Sequence, residues 1–382
     1  MYSPEFRLLL EACRFRGCGS DISSAYEIAE RESPDWNVLV ESTSFHRIGP
    51  QMLSLLGMIP GGVVPSPVLD KLKGAVQDNL VRQLRYVSEF FRISEWLAEE
   101  GIEAIPFKGF WLGESAYGDI GARESSDIDL FIDLKNLEAV KRIMTSKGYE
   151  GHETLDLLTD DYVRREIAEY NFGRYEEGVR VAHIEFHWRS AMTFYRMDIS
   201  GNDLRSQVMP GILQGREIPV FSPAANLLLA VMHHGGKDCY WQLRQVLDIA
   251  HILRRNPDLD AEWLLAQAER FHVTTLLLLG VRLAHELTGV EVPEAFAGCL
   301  SDKRLERIVR GRFRLMALPL AGLELYKDRL ASWLFKIRSR DGLWVKGSMA
   351  IYTLRKVIAP RMVPERWRHY FFNRKIRRPA VG

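Results

Sequence analysis

Two aspartates one residue apart, Asp127 and Asp129, stand in the run Ser126-Asp127-Ile128-Asp129-Leu130. Side chains of a strand alternate faces, so both carboxylates point one way while Ile128 and Leu130 point into a core. Carboxylates about 7 Å apart along a strand repel each other unless a cation sits between them. Mg²⁺ (or Mn²⁺) suits such oxygens and bridges them to substrate phosphates. A second alternating run, VAHIEFHW over 181–188, sets His183, Glu185 and His187 on one face and Ile184, Phe186 and Trp188 on the other. Paired beside the aspartate strand, Glu185 becomes a third carboxylate. Three carboxylates on adjacent strands can hold two metal ions, one at an attacking hydroxyl and one at a triphosphate. A histidine-rich metal site is another use of H-x-E-x-H. The fuller reading places His183 and His187 behind the metal ligands, orienting them.

Upstream, Lys108-Gly109 falls where a buried strand turns into a helix. Backbone N–H groups at such a turn favour anions, glycine allows a phosphate to come close, and Lys108 adds a point charge. Arg123 and Ser126, just before the aspartates, are further phosphate contacts, with a solvated loop as the plainer use of Arg123. After the strands, His233-His234-Gly235-Gly236-Lys237 reads as a helix end with a glycine stop, with a place for His234 or Lys237 behind the ligands or along the pocket as the other use.

These residues need a frame. Residues 1–100 have a helical apolar period, strongest over Leu69–Glu99. Strands are expected at Ile102–Phe107, Asp127–Ile132, Val181–Trp188 and Ile218–Phe221, with helices at Phe110–Tyr117 and Leu137–Lys147. From Ser222 onward helices return: Pro223–His234, Trp241–Arg254, Ala261–Arg270 and Val273–Leu287. The fold class is therefore α+β, a mixed α/β arrangement with a small mixed sheet between helical regions. The expected division is 1–100 helical, 101–221 the sheet-bearing core, 222–302 a helical substrate side, and 303–382 a basic helical end.

Of the 382 residues, 47% are hydrophobic and 26% charged, which is the make-up of a globular chain able to bury a core. Cys13, Cys18, Cys239 and Cys299 lack paired metal spacing and read as reduced thiols of a cytoplasmic protein. The N-terminus lacks the layout of a signal peptide, and no apolar run is long enough to span a bilayer. Charge is uneven: residues 303–378 hold 21 Lys/Arg against 5 Asp/Glu, although the whole chain is only +1.

The pattern KG-x(2)-L-x(4)-Y-G, then R-x(3)-DIDLFID, a helix ending in KGY, and IEFHW resembles the uncharacterised nucleotidyltransferase-like family of bacteria, within the DNA polymerase beta type superfamily. The likeness also takes in DWN at 35–37, FHRIGP at 45–50 and SPAANLLLAVMHH from Ser222. The resemblance implies a minimal nucleotidyltransferase core in which Asp127 and Asp129 are the metal-binding pair and Glu185 the third acid. ATP or another NTP would be the substrate. The wider superfamily keeps Gly-Ser or Gly-Gly at the turn. Here Phe110 follows Gly109, so phosphate contact rests on backbone N–H groups and Lys108.

The resulting expectation is a Mg²⁺-dependent nucleotidyltransferase that moves an NMP group to a hydroxyl of a small molecule, a glycan or lipid-linked precursor, or a protein. Glu185 completes the site and accepts the attacking hydroxyl's proton. One alternative is a catalytically silent adaptor docking through residues 303–378 on an anionic membrane surface or nucleic acid, where aromatics such as Trp333, Trp344 and the run WRHYFFNRKIRR interleave with cations. Another is a toxin-like modifier of tRNA or protein.

Overall fold

The computed structural model describes residues 2–151, 167–191, 195–197, 199–319 and 330–358. Five helices lead: Pro4–Arg14, Ser23–Arg31, Trp36–His46, Gly49–Leu56 and Ser66–Ala98. Their ends follow local chemistry. Asp35 accepts the Asn37 and Val38 N–H groups, capping the third helix at its start, and that helix stops at Arg47, whose φ of +54° is left-handed.

The central sheet has five strands: β1 (Ile105–Pro106), β2 (Ile128–Phe131), β3 (Glu150–Gly151), β4 (Glu169–Glu176) and β5 (Val179–His187), in the order β1-β2-β5-β4-β3. Only β2 and β5 run parallel; the other neighbours are antiparallel, so the sheet is mixed and the fold is α+β. β6 (Val208–Leu213) and β7 (Arg216–Phe221) form a separate two-stranded sheet. Ile218–Phe221 is thus the inner part of a longer hairpin strand and does not join the main sheet. The buried run from Ile102 is strand only at Ile105–Pro106. Sequence patterning does not predict β4. Its hairpin with β5 closes through Glu177 and Gly178, with φ of +49° and +77°, the left-handed pair that a tight hairpin turn requires.

Strand alternation sorts the sheet into two faces. Ile128, Leu130, Tyr170, Phe172, Ile184 and Phe186 pack on the second half of the long helix, through Phe90 and Ile93, and on helix Leu137–Ser146. The opposite face bears Asp129, Glu169, Asn171, Glu185 and His187 and looks toward the other helical mass. That mass shares one apolar core, which runs from Phe6 and Leu39 through Leu227 and Leu276 to Leu305 and Met316. Helix Lys303–Met316 therefore packs on the same core as the N-terminal helices, burying Leu305, Val309, Leu315 and Met316.

The predicted helix Pro223–His234 is α-helical over Pro223–Ala230 and then widens into a π-helical turn, Val231–Lys237. The segment after Gly109 does the same, with α-helix over Gly109–Leu112 and π-helix over Gly113–Tyr117. Such widened turns re-aim side chains and often occur at functional sites. No described helix is long and apolar enough to cross a membrane. The stretch WRHYFFNRKIRR at 367–378 lies outside the described residues.

Candidate active site

The site is assembled by register. In the parallel pair, Asp129 of β2 lies opposite Glu185 of β5, and Phe131 lies opposite His187. Across the antiparallel side, Glu185 is opposite Asn171 and His187 is opposite Glu169. One face of three neighbouring strands thus collects a carboxylate from each of β2, β5 and β4, together with an amide and an imidazole. Asp127 stands one residue before β2 and joins them.

The loop that delivers Asp127 is held by polar residues of the long helix. Buried Asn79 donates to the Gly121 carbonyl at 3.0 Å, buried Gln83 donates to the Ser125 carbonyl at 3.1 Å, and the Tyr86 hydroxyl donates to the Ser126 carbonyl at 2.9 Å. Their burial inside an otherwise apolar helix face is accounted for by these bonds. Gly109, with φ +50°, lies against this loop: a Cβ there would stand 3.2 Å from the Asp127 carbonyl oxygen. A left-handed, closely approached position of this kind favours glycine.

Charges in the site are arranged in pairs and chains. Lys108 Nζ is 2.6 Å from Asp129 Oδ1, and both side chains are buried. His187 Nε2 lies 3.2 Å from Asp129 Oδ1 and 3.4 Å from Glu185 Oε2, while its Nδ1 is 3.4 Å from Glu169 Oε2. Lys237 Nζ is 3.8 Å from the same Glu169 oxygen. His183 Nδ1 is 3.9 Å from Glu185 Oε1.

The three acids respond differently. Burial raises all of them, but Lys108 and His187 outweigh it at Asp129, which is held far below the usual carboxylate range. At Glu185 burial is outweighed chiefly by the His187 hydrogen bond, bringing it down to about 2. Asp127 goes the other way: burial and the charges of Asp129 and Glu185 push it up. For His187, burial favours the neutral ring, yet Asp129, Glu185 and Glu169 together raise its pKa. Lys237 is also raised, first by Glu169.

This donor set fits divalent metal. One donor atom from each of Asp129, Glu185 and His187 lies within 4.8 Å of the others, and the same holds for Asp127, His183 and Glu185. Glu185 belongs to both groups, which is the layout of two ions sharing a carboxylate. Lys108 marks Asp129 as a position that holds positive charge. Asn171 Oδ1, opposite Glu185, is a buried acceptor with no donor among the described residues, so it too is suited to a cation.

Of the residues singled out in the sequence, Lys108, Asp127, Asp129, His183, Glu185, His187 and Lys237 come together here. Gly109 borders them. Ser126 stands at the exposed rim, where its Oγ is 3.5 Å from Arg47 Nη1. Arg123 and His234 are drawn elsewhere. The Arg123 guanidinium is buried and takes both oxygens of Asp248 at 2.8 Å, while its Nη1 donates to the Gly109 carbonyl at 3.2 Å. His234 Nε2 is 2.9 Å from Asp248 Oδ2, and the Tyr117 hydroxyl donates to Asp248 Oδ1 at 2.8 Å. Asp248 is far more acidic than usual: burial opposes the charge, but Arg123, His234 and Arg244 prevail. Arg123 thus acts on the Gly109 turn from behind. Sequence reasoning missed Glu169 and Asn171 because β4 was missed. The signal that could have found them was Glu177-Gly178 between two alternating runs, which marks a hairpin.

No curated protein is similar enough to the chain to count as a relative. A family profile described as uncharacterised nucleotidyltransferase matches residues 32–289, taking in the long helix, the whole acidic face, Lys237 and Asp248. With two thirds of its length covered and the matched region holding every residue of this site, the chain belongs to the uncharacterised nucleotidyltransferase family.

Proposed function

We propose that the acidic face transfers a nucleoside monophosphate from an NTP to an acceptor hydroxyl, with two Mg²⁺ ions as cofactor. The observation that carries this reading is the register of Asp129 against Glu185, with Asp127 completing a cluster whose two donor groups share Glu185. Asp127, Asp129 and Glu185 would hold the ions, with Asn171 as a neutral oxygen donor. When bound, the ions supply Lewis-acid charge at the attacking hydroxyl and at the triphosphate.

The acceptor oxygen attacks the α-phosphorus, the bond from that phosphorus to the bridging oxygen breaks, and pyrophosphate leaves. The hydroxyl proton needs a base. One of the carboxylates at the site, Glu185 in the expectation from sequence, would take it; the raised Asp127 and the lowered Glu185 describe the cluster before any ion neutralises it. His187 orients Asp129 and Glu185 together, and the Glu169 charge lies 3.4 Å from the far nitrogen of that imidazole. Lys108 neutralises Asp129 and is placed to follow charge as phosphate enters.

The test is a panel of α-labelled NTPs incubated with the purified protein, Mg²⁺ and cell extract, reading label transferred to any acceptor. Asp127→Asn with Asp129→Asn should abolish transfer; label transfer surviving in that double variant would sink the mechanism. A second reading, the silent adaptor, has one observation in its favour. Leu343 and Trp344 are 88% and 73% exposed at the start of the helix Leu343–Ile358, which also bears Lys346. Co-sedimentation with anionic liposomes or RNA, compared between the full chain and Leu343→Ser/Trp344→Ser, tests it. Equal pelleting of the two proteins counts against it.

A further inference from the structure

A triphosphate needs cations, and the two predicted from sequence are already engaged. Lys108 lies on Asp129 at 2.6 Å. Arg123 lies on Asp248 through both of its forks. Two other guanidinium groups near the same turn are left with positive charge to spare.

The first is Arg47. It sits half-buried at the left-handed end of helix Trp36–His46, and its Nη1 reaches Ser126 Oγ at 3.5 Å, one residue before Asp127. Among the described residues it has no carboxylate partner. The second is Arg244, whose side chain is only 11% exposed. Its Nη1 is 3.6 Å from Asp248 Oδ2, an oxygen that already accepts from Arg123 at 2.8 Å and faces His234 Nε2 at 2.9 Å. Among the described residues, buried Arg244 Nε has no hydrogen-bond partner. One carboxylate therefore serves two guanidinium ions, and the second is left largely unmatched.

The fold fastens together the two segments that carry these arginines. The Leu243 N–H donates to His46 Nδ1 at 3.3 Å, and Gln242 Nε2 donates to the Phe45 carbonyl at 2.6 Å. Residues 45–47 and 242–244 are thus bonded neighbours, each leading into an arginine, and Arg47 reaches the exposed Ser126 hydroxyl. Their charges also meet: burial, Arg123 and Arg47 hold the Arg244 pKa down to about 10 against the pull of Asp248. Arg47 in turn acts on Asp127.

We infer that Arg47, Arg244 and Ser126 form the seat for the polyphosphate chain of the nucleotide, at the rim of the acidic face beside Asp127. The inference rests on the nucleotidyl-transfer reading and adds to it which residues hold the phosphates. Guanidinium forks match phosphate oxygens two at a time, and a phosphate there would supply Arg244 with the counter-charge that Asp248 cannot. The seat adjoins Asp127, so phosphates held in it are within reach of ions on the carboxylates. It also resolves the absence of a small hydroxyl residue after Gly109. Phe110 is packed in the core against Phe90, and the hydroxyl at the rim comes instead from Ser126.

The probe is inorganic tripolyphosphate, which has no base, titrated calorimetrically into the full chain with Mg²⁺. Binding of Mn²⁺ by itself is followed in parallel by electron paramagnetic resonance. Arg47→Ala and Arg244→Gln should each weaken tripolyphosphate by roughly tenfold, more when combined, with Mn²⁺ binding unchanged. Arg47→Ala removes a side chain with one long hydrogen bond, so its fold is secure even if Arg244→Gln melts early. Unchanged tripolyphosphate affinity in folded Arg47→Ala overturns the seat, whatever transfer activity shows. Weakened tripolyphosphate in both variants of a protein that binds no Mn²⁺ upholds the seat and strikes the transfer reading instead.

Discussion

Two buried charge clusters flank the Gly109 turn, and they are built on opposite rules. Behind the turn, Asp248 is matched by Arg123, His234 and Tyr117, all at 2.8–2.9 Å. In front, Lys108 meets Asp129 at 2.6 Å, but His187 is shared among Asp129, Glu185 and Glu169 at 3.2–3.4 Å and Lys237 stands 3.8 Å from Glu169. The rear cluster drives its acid far down; the front one pushes Asp127 up while lowering its two neighbours. An acid paired as closely as Asp248 is a fastening. A cluster that keeps one carboxyl raised beside two lowered ones is, in the proposed reading, the place of a cation and a substrate. Arg123 joins the two, since the guanidinium that satisfies Asp248 also holds the Gly109 carbonyl.

The contrast is tested most severely by removing charge in front. Asp127→Asn with Asp129→Asn should lower transfer by at least about a thousandfold, the several kcal/mol that metal-borne charge supplies to a transferring phosphoryl group. Thermal stability at neutral pH should hold or rise for Asp127→Asn alone. Its pKa is raised on folding, so the ionised form is a burden above that value and the amide lifts it. A marked loss of stability in this single variant would mean that the front cluster is also a fastening. The same operation behind should do the reverse. Asp248→Ala leaves Arg123 buried and unpaired, at a cost of about 3–5 kcal/mol, read by denaturant unfolding. A cost under 1 kcal/mol would remove the distinction.

The front cluster was legible in the sequence because it is a strand property. Alternation fixes which side chains share a face, so Asp127 with Asp129, and His183, Glu185 and His187, could be grouped before any fold was known. What alternation cannot give is which strand lies beside which. Glu169 and Asn171 enter only through the β4–β5 register. The rear cluster was illegible for a related reason: Arg123, Tyr117, His234 and Asp248 are joined by tertiary packing across 125 residues or more of chain in the case of Arg123 and Asp248. Phosphate binding by Arg123 was a fair expectation for a loop arginine beside aspartates, and only the depth of Asp248 explains where it turned. The π-helical turns were likewise invisible, since a helical apolar period does not reveal one extra residue per turn.

Acid should also separate the two sides. His46, which joins the rear helix Leu243–Arg255 to the N-terminal helices, is buried in one tautomer. Its Nδ1 accepts from the Leu243 N–H, so Nε2 carries the hydrogen and donates to the Met316 carbonyl at 3.2 Å. Burial lowers its pKa from 6.5 to about 4, with the Met316 bond opposing only in part. The unfolded chain therefore takes up this proton first on acidification. The contribution of His46 is whole above pH 6.5 and is lost as the pH falls toward 4, a loss of roughly 3 kcal/mol. Unfolding of wild type and His46→Gln at a series of pH values should give a shallower slope for the variant in that window. Parallel slopes would assign the acid sensitivity elsewhere.

The finest test lies within the front cluster, at the residue the sequence did not offer. Glu169 Oε2 faces His187 Nδ1 at 3.4 Å and Lys237 Nζ at 3.8 Å, so its charge acts on the imidazole whose other nitrogen serves Asp129 and Glu185. Carboxylates that brace a histidine in this way typically contribute about 10–100-fold in metal affinity or activity. Glu169→Gln should fall in that range for Mn²⁺ binding and transfer, with unfolding free energy nearly unchanged. Glu169→Asp, which keeps the charge but draws it back, should recover part of the loss. If Glu169→Gln instead costs stability and leaves metal binding intact, then His187 belongs with the fastenings behind the turn, and the boundary between the two clusters runs through β4 rather than through Gly109.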